Sequence, residues 1–206
     1  MKNSGKNSFL SWLNILGQLV IASIVWVVCS LPVVTLGASS CALYYAVVKA
    51  LRRDRGSLLP CFFSAFKNNF GQCLMVNMLY LTLFAIPAYF AIPHLLSIEQ
   101  GLSGSFYVIV GIVFLLALPL SVTYPVISRF YHKGGQLVRF LLMITGRHPM
   151  VCISSVLMLA AGIVIVMSNA ASLIFVPGII AYVQALMLEN VFEKYSSGDE
   201  REVWYD

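Results

Sequence analysis

Charge is what this chain has least of. Of its 206 residues only 10% are Asp, Glu, Lys or Arg, while 60% are hydrophobic; a soluble domain carries about 25% charge. Water is thereby excluded as its main solvent. The acidic residues are Asp54, Glu99, Glu189, Glu193 and four more in the last eight positions, so paired carboxylates are missing from the apolar runs. No nucleophile lies beside a base, and no catalytic constellation emerges. There is no G-x-x-x-x-G-K-[ST] phosphate loop. The five cysteines include no C-x-x-C pair, and none of the three histidines stands at zinc-ligand spacing. No cofactor or metal is implied, and the expectation is a protein that is not an enzyme. An ionisable group deep in a membrane span would suggest proton-coupled transport; the apolar runs hold none, which disfavours an autonomous proton-driven carrier.

What is present is a series of apolar runs long enough to cross hydrocarbon, which takes roughly 20 helical residues for about 30 Å. The expected fold is an all-α integral membrane protein of about six transmembrane helices plus two short cytoplasmic amphipathic helices. Residues 1–190 would form one transmembrane domain and residues 191–206 a short charged tail. Phe9 to Cys29 is the first run, read as a retained anchor because it lacks a small-residue cleavage site. Asn14 and Gln18 lie one turn apart on it, placed to meet another helix. Pro32 to Leu51 follows, with two readings: a continuous helix beginning at Pro32, or an extended stretch with a shorter, re-entrant helix starting after Gly37.

Beyond a charged turn at Arg52–Ser57, Leu58 to Phe70 repeats large apolar residues every three or four positions (Leu59, Phe62, Phe63, Phe66 and Phe70) and reads as an amphipathic helix flat in the headgroups. Further spans are expected at Gly71 to Ile92, Phe106 to Ile127, Met150 to Met167 and Ser172 to Leu188, with a second short amphipathic segment at Gln136 to Thr145. The pattern span, basic turn, short helix, span recurs at Pro32–Ile92 and Phe106–Met167, a weak internal repeat.

Alternating the loops places all thirteen cations on one side: Lys2, Lys6, Lys49, Arg52, Arg53, Arg55, Lys67, Arg129, Lys133, Arg139, Arg147, Lys194 and Arg201. By the positive-inside rule that side is cytoplasmic and holds both termini. The net charge of +5 therefore reports orientation toward a lipid surface and not nucleic-acid binding. Arg52, Arg53, Arg55, Phe62, Phe66, Arg129, Lys133, Arg139 and Arg147 are the expected contacts for anionic lipid or for a cytoplasmic partner.

The segment S-L-P-V-V-T-L-G-A-S-S-C-A-L-Y-Y from Ser30 to Tyr45, with F-F-S-A-F-K-N-N-F from Phe62 to Phe70, resembles the YesL family of bacterial membrane proteins, whose biochemical function is unassigned. The likeness is close over Phe9 to about Ile92 and looser beyond. It carries over Pro32, Thr35, Gly37, Ala38, Tyr44 and Lys67 as family-pattern positions. It implies a plasma-membrane protein of Gram-positive bacteria, encoded beside carbohydrate ABC importers. The expected function is then a non-enzymatic accessory membrane protein whose partners are the bilayer and the importer's permease or ATPase subunits. The alternatives are a stand-alone small-molecule carrier and a membrane sensor or regulator. Within the motif, Gly37 is expected to tolerate a side chain less well than Gly162.

Overall fold

The structure, a computed structural model, describes residues 4–96, 104–130 and 134–196. Seven α-helices account for most of these: α1 Ser4–Ser30, α2 Leu36–Ala46, α3 Leu58–Leu96, α4 Gly104–Arg129, α5 Gly135–Arg147, α6 Pro149–Ser168 and α7 Val176–Ser196. No β-strand occurs among the described residues. Lipid cannot hydrogen-bond a backbone, so helices that satisfy their own amides are what such apolar runs must form. Five segments are long and apolar enough to cross a membrane: Leu13–Ser30, Val33–Arg52, Leu58–Ile92, Gly104–Arg129 and Pro149–Ser168. The expected sixth, Ser172 to Leu188, is divided. Ala170–Ile174 forms a 3₁₀ turn, and α7 then carries Gln184, Glu189, Asn190 and Glu193, which dilute its apolarity.

The second element is the centre of the bundle. In the apolar 18-residue stretch of Val33–Arg52, 67% of residues are buried, against 17% in the corresponding stretch of each of the other four. Gly37, Ala38, Ser39, Cys41, Ala42 and Ala46 are all buried, and such small side chains let neighbouring backbones come close, which is how helices associate without a hydrophobic drive. α3, α4 and α7 all pack on α2, and α1 runs alongside it. Neither expected start for this helix is correct. Pro32 stays extended, Val33–Thr35 makes one 3₁₀ turn, and the α-helix begins at Leu36. At its other end α2 widens into a π-helical turn, Val47–Arg52. The chain then reverses through Asp54 (φ 50°) and Gly56 (φ 91°), the latter a left-handed position that glycine takes without steric cost.

Leu58 to Phe70 is not a separate surface helix. It is the first third of the 39-residue α3. Its inner face, Leu58, Cys61, Phe62, Ala65 and Asn69, continues in register to Cys73, all of them buried. Gly71 alone, at about 1 kcal/mol against alanine, does not interrupt a face held that way. The second short helix does stand apart as α5, amphipathic, with Leu137, Phe140, Leu141 and Ile144 turned inward. It is followed at once by Pro149 in the first turn of α6. The two halves of the weak repeat thus differ in construction, fused in one and divided in the other. α5, the first turns of α3 and the C-terminal ends of α2, α4 and α7 gather at one end of the bundle, called the basic end below.

Candidate functional site

Both ends of α2 are fixed by buried polar groups, and these two clusters are the chemically distinctive places in the described residues. At the basic end the centre is Glu189 of α7. Its Oε1 lies 3.0 Å from Arg129 Nε and its Oε2 3.5 Å from Arg53 Nη2, while the Tyr44 hydroxyl donates to Oε1 at 3.1 Å. Arg129 and Glu189 are each 1% exposed, and only Arg53 reaches the surface, with 27% of its side chain accessible. Next to them Arg52 Nη1 donates to the carbonyl of Ala185. One carboxylate therefore joins α2, the turn after it, α4 and α7. Burying a charge costs several kcal/mol unless it is paired. Here the pairing comes from residues 60 to 145 positions apart, so the cluster forms only when those segments have come together. Rings close it off from below: Phe192 meets Tyr44 and Phe130 edge-on at 6.5 and 5.5 Å, and Phe140 of α5 meets Phe130 at 5.1 Å. Tyr195 continues the wall and shares a 3.2 Å hydrogen bond with His148 Nε2.

The other cluster surrounds the turn before α2. A helix end frees carbonyls, and here side chains take them. Thr35 Oγ1 donates to Cys29 O (2.6 Å) and Pro32 O (2.8 Å), and Ser30 Oγ donates to Trp26 O (2.6 Å). From α3, Asn77 Nδ2 donates to Val33 O and Val34 O at 3.1 and 3.2 Å, and its Oδ1 accepts from the Tyr124 hydroxyl of α4 at 3.1 Å. Gly37 sits directly beneath. A Cβ there would lie 2.7 Å from Tyr124 Cε1 and 3.1 Å from Asn77 Cβ. In the motif, then, proline makes the turn extended, threonine caps it, and glycine admits the tyrosine that holds Asn77.

Two further ties close the bundle. The Gly178 amide of α7 donates to Ser23 Oγ of α1 at 2.9 Å, and Ser23 donates to Leu19 O at 2.9 Å. Gln184 Nε2 donates to Ser155 Oγ of α6 at 2.8 Å.

Of the residues singled out from sequence, Pro32, Thr35, Gly37 and Ala38 lie in the turn and the first turn of α2, and Tyr44 in the Glu189 cluster. Lys67 is apart from both, exposed on α3. Arg55, Arg139 and Arg147 are exposed, Arg52, Arg53 and Phe66 half-buried, and Lys133 lies outside the described residues. Two expected surface contacts are instead interior. Arg129 is held by Glu189, and Phe62 is fully buried on the inner face of α3, within the apolar core. Asn14 and Gln18, expected to reach another helix, bond to each other along α1 at 3.4 Å. His94 and Glu99 fall outside the residues whose side chains are described.

Sequence reasoning gives Glu189 no role, since it falls just past the span expected to end at Leu188. Yet Ala181, Ala185, Leu188 and Phe192 repeat at helical spacing, and all are buried. That stripe runs past residue 190 and was the signal that α7 continues. Gly178 carried no signal beyond being a glycine in an apolar run.

A family model described as "Protein of unknown function, DUF624" matches residues 19–89, about a third of the chain. The match runs from mid-α1 through the turn and α2 into α3, so it contains Thr35, Gly37, Tyr44 and Asn77. Neither curated proteins nor solved structures give a match.

Proposed function

We propose that this chain is a non-enzymatic accessory protein of the bacterial plasma membrane. In this reading it sits with its basic end and both termini in the cytoplasm and docks there on a carbohydrate ABC importer. The observation that carries the reading is the mixed character of the exposed surface at the basic end. On α5, Val138 and Leu142 are 51% and 63% exposed beside the exposed Arg139 and Arg147. On the first turns of α3, Leu59 and Phe63 are exposed beside Arg55 and Lys67. Apolar side chains rimmed by arginine fit a partner that is apolar at its centre and acidic at its rim. The likeness of the motif to YesL proteins supports a Gram-positive importer as that partner. α5 and the first turns of α3 supply such a docking face, since both are anchored in the bundle through Leu137, Phe140 and Phe62.

Recovery of a tagged chain from native membranes in mild detergent tests this. Importer permease or ATPase subunits are expected in the eluate, and Leu142→Glu with Arg139→Glu is expected to reduce their recovery at least about tenfold, the order of a 1.4 kcal/mol loss. Recovery of the chain with no importer subunit, or solute flux through liposomes containing this chain alone, would overturn the proposal.

A further inference from the structure

We infer that the outer face of α5 is a docking site for residues 197–206 of this same chain, the acidic residues of that segment pairing with Arg147 and Arg139 and its aromatic residues covering Val138 and Leu142. α5 is covered on one side only. Leu137, Phe140, Leu141 and Ile144 face the bundle, while Val138, Arg139, Leu142, Gly146 and Arg147 are exposed. Val138, Leu142 and Gly146 follow one another at four-residue spacing and so form one strip along the helix, with Arg139 and Arg147 beside it. Gly135–Arg147 contains no acidic residue, so this face is apolar along its middle and positive towards both ends.

The chain arrives at that face. α7 ends at Ser196, and Tyr195 just before it bonds to His148 Nε2 at 3.2 Å and meets the Phe140 ring of α5 edge-on at 5.9 Å. His148 directly follows Arg147, the last residue of α5. Residues 197–206, which lie outside the described residues, therefore set out from the C-terminal end of α5. The 13 residues of α5 make about 20 Å of helix. Asp199 and Glu200 stand three and four residues beyond Ser196, within roughly 10–14 Å of chain, enough for Arg147. Trp204 stands eight residues beyond it, within roughly 28 Å, enough to pass Leu142 and reach Val138.

The composition of the segment matches the face in kind. It holds Asp199, Glu200, Glu202 and Asp206 against one cation, Arg201, followed by Val203, Trp204 and Tyr205. Acidic groups for the arginines and aromatic rings for the apolar strip make an interface with an apolar centre and a charged rim. A segment tethered this close meets the face at an effective concentration on the order of millimolar, which sets it ahead of a second copy. Both parts belong to this chain, so the inference stands without the importer; any partner that docks on α5 has first to displace the segment.

Fluorescence of Trp204 tests it, in the full chain in bilayers with Trp12→Phe, Trp26→Phe and Cys29→Ala and the buried cysteines kept. A nitroxide on Gly146→Cys, where an added Cβ meets nothing within 4 Å, is expected to quench that emission. One on Met167→Cys, at the far end of α6, should leave it unchanged. The quenching should fade at about 1 M salt, where the Debye length is about 3 Å. Equal emission with the two labels would overturn the inference. So would quenching that appears only when labelled and tryptophan-bearing chains are mixed, which gives the face to a second copy, or quenching by headgroup-brominated lipid in place of the Gly146 label, which gives the segment to the bilayer. Alkylation of Gly146→Cys by a water-soluble maleimide reads the same contact with every tryptophan in place. It is expected to run several-fold faster when Asp199→Asn, Glu200→Gln, Glu202→Gln and Asp206→Asn are introduced together, and an unchanged rate would contradict the docking.

Discussion

Glu189→Ala is expected to be the most destabilising single change, lowering the unfolding free energy by about 3–5 kcal/mol, because it strands the buried Arg129 without its carboxylate. It also removes the acceptor of Tyr44 and the partner of Arg53. Arg129→Met should cost less, since Glu189 keeps Arg53 and Tyr44 at the more accessible edge. Pairing Arg129→Met with Glu189→Leu replaces both charges by side chains of similar bulk, and much of the loss is expected to return, as buried ion pairs exchanged for apolar packing are often neutral. Denaturant or thermal unfolding of the purified chain in detergent reads all three. A double variant as unstable as Glu189→Ala would mean that the cluster contributes something other than charge pairing.

The second large effect is expected at a glycine. A Cβ on Gly178 would lie 2.5 Å from the Leu19 carbonyl oxygen and 2.7 Å from Ser23 Oγ. The first of these is backbone and cannot rotate away, so Gly178→Ala must push α1 from α7 and stretch the Gly178–Ser23 hydrogen bond. A loss of about 3 kcal/mol, the upper part of the range for overpacking, is expected. Gly37→Ala meets a tyrosine ring edge and Asn77 and should follow at about 2 kcal/mol. Gly162 faces mainly the Ile180 side-chain tip and Val176 Cγ1. An isoleucine tip can change rotamer, so Gly162→Ala should cost less than about 1 kcal/mol. The ordering, read in the same unfolding assay, separates backbone contacts from side-chain contacts. Equal tolerance at all three glycines would contradict the close approach of α1 to α7 and of α2 to α4.

The membrane character, most helix positions and the importance of the Pro32 turn were legible in the residues because they depend on local quantities: run length, apolarity, and the placing of proline and cations. The continuity of α3 was not, since the Leu59–Phe70 stripe has the same period whether it faces headgroups or α2. Burial of Arg129 was hidden for a related reason. An arginine closing an apolar run ordinarily marks the membrane surface, and only its meeting with Glu189, 60 residues later, turns it inward. Asn77 was recognisable as polar glue, but not as the cap of a turn 43 and 44 residues before it. In each case the missing information was which distant helix lay opposite.

Sidedness of single cysteines in intact cells is the measurement that bears most directly on a bundle whose described cations gather at one end. Under a membrane-impermeant maleimide, Arg55→Cys and Arg139→Cys should stay unlabelled until the membrane is opened, and Ala171→Cys should be labelled from outside. Labelling of Arg55→Cys and Ala171→Cys from the same face would contradict that arrangement.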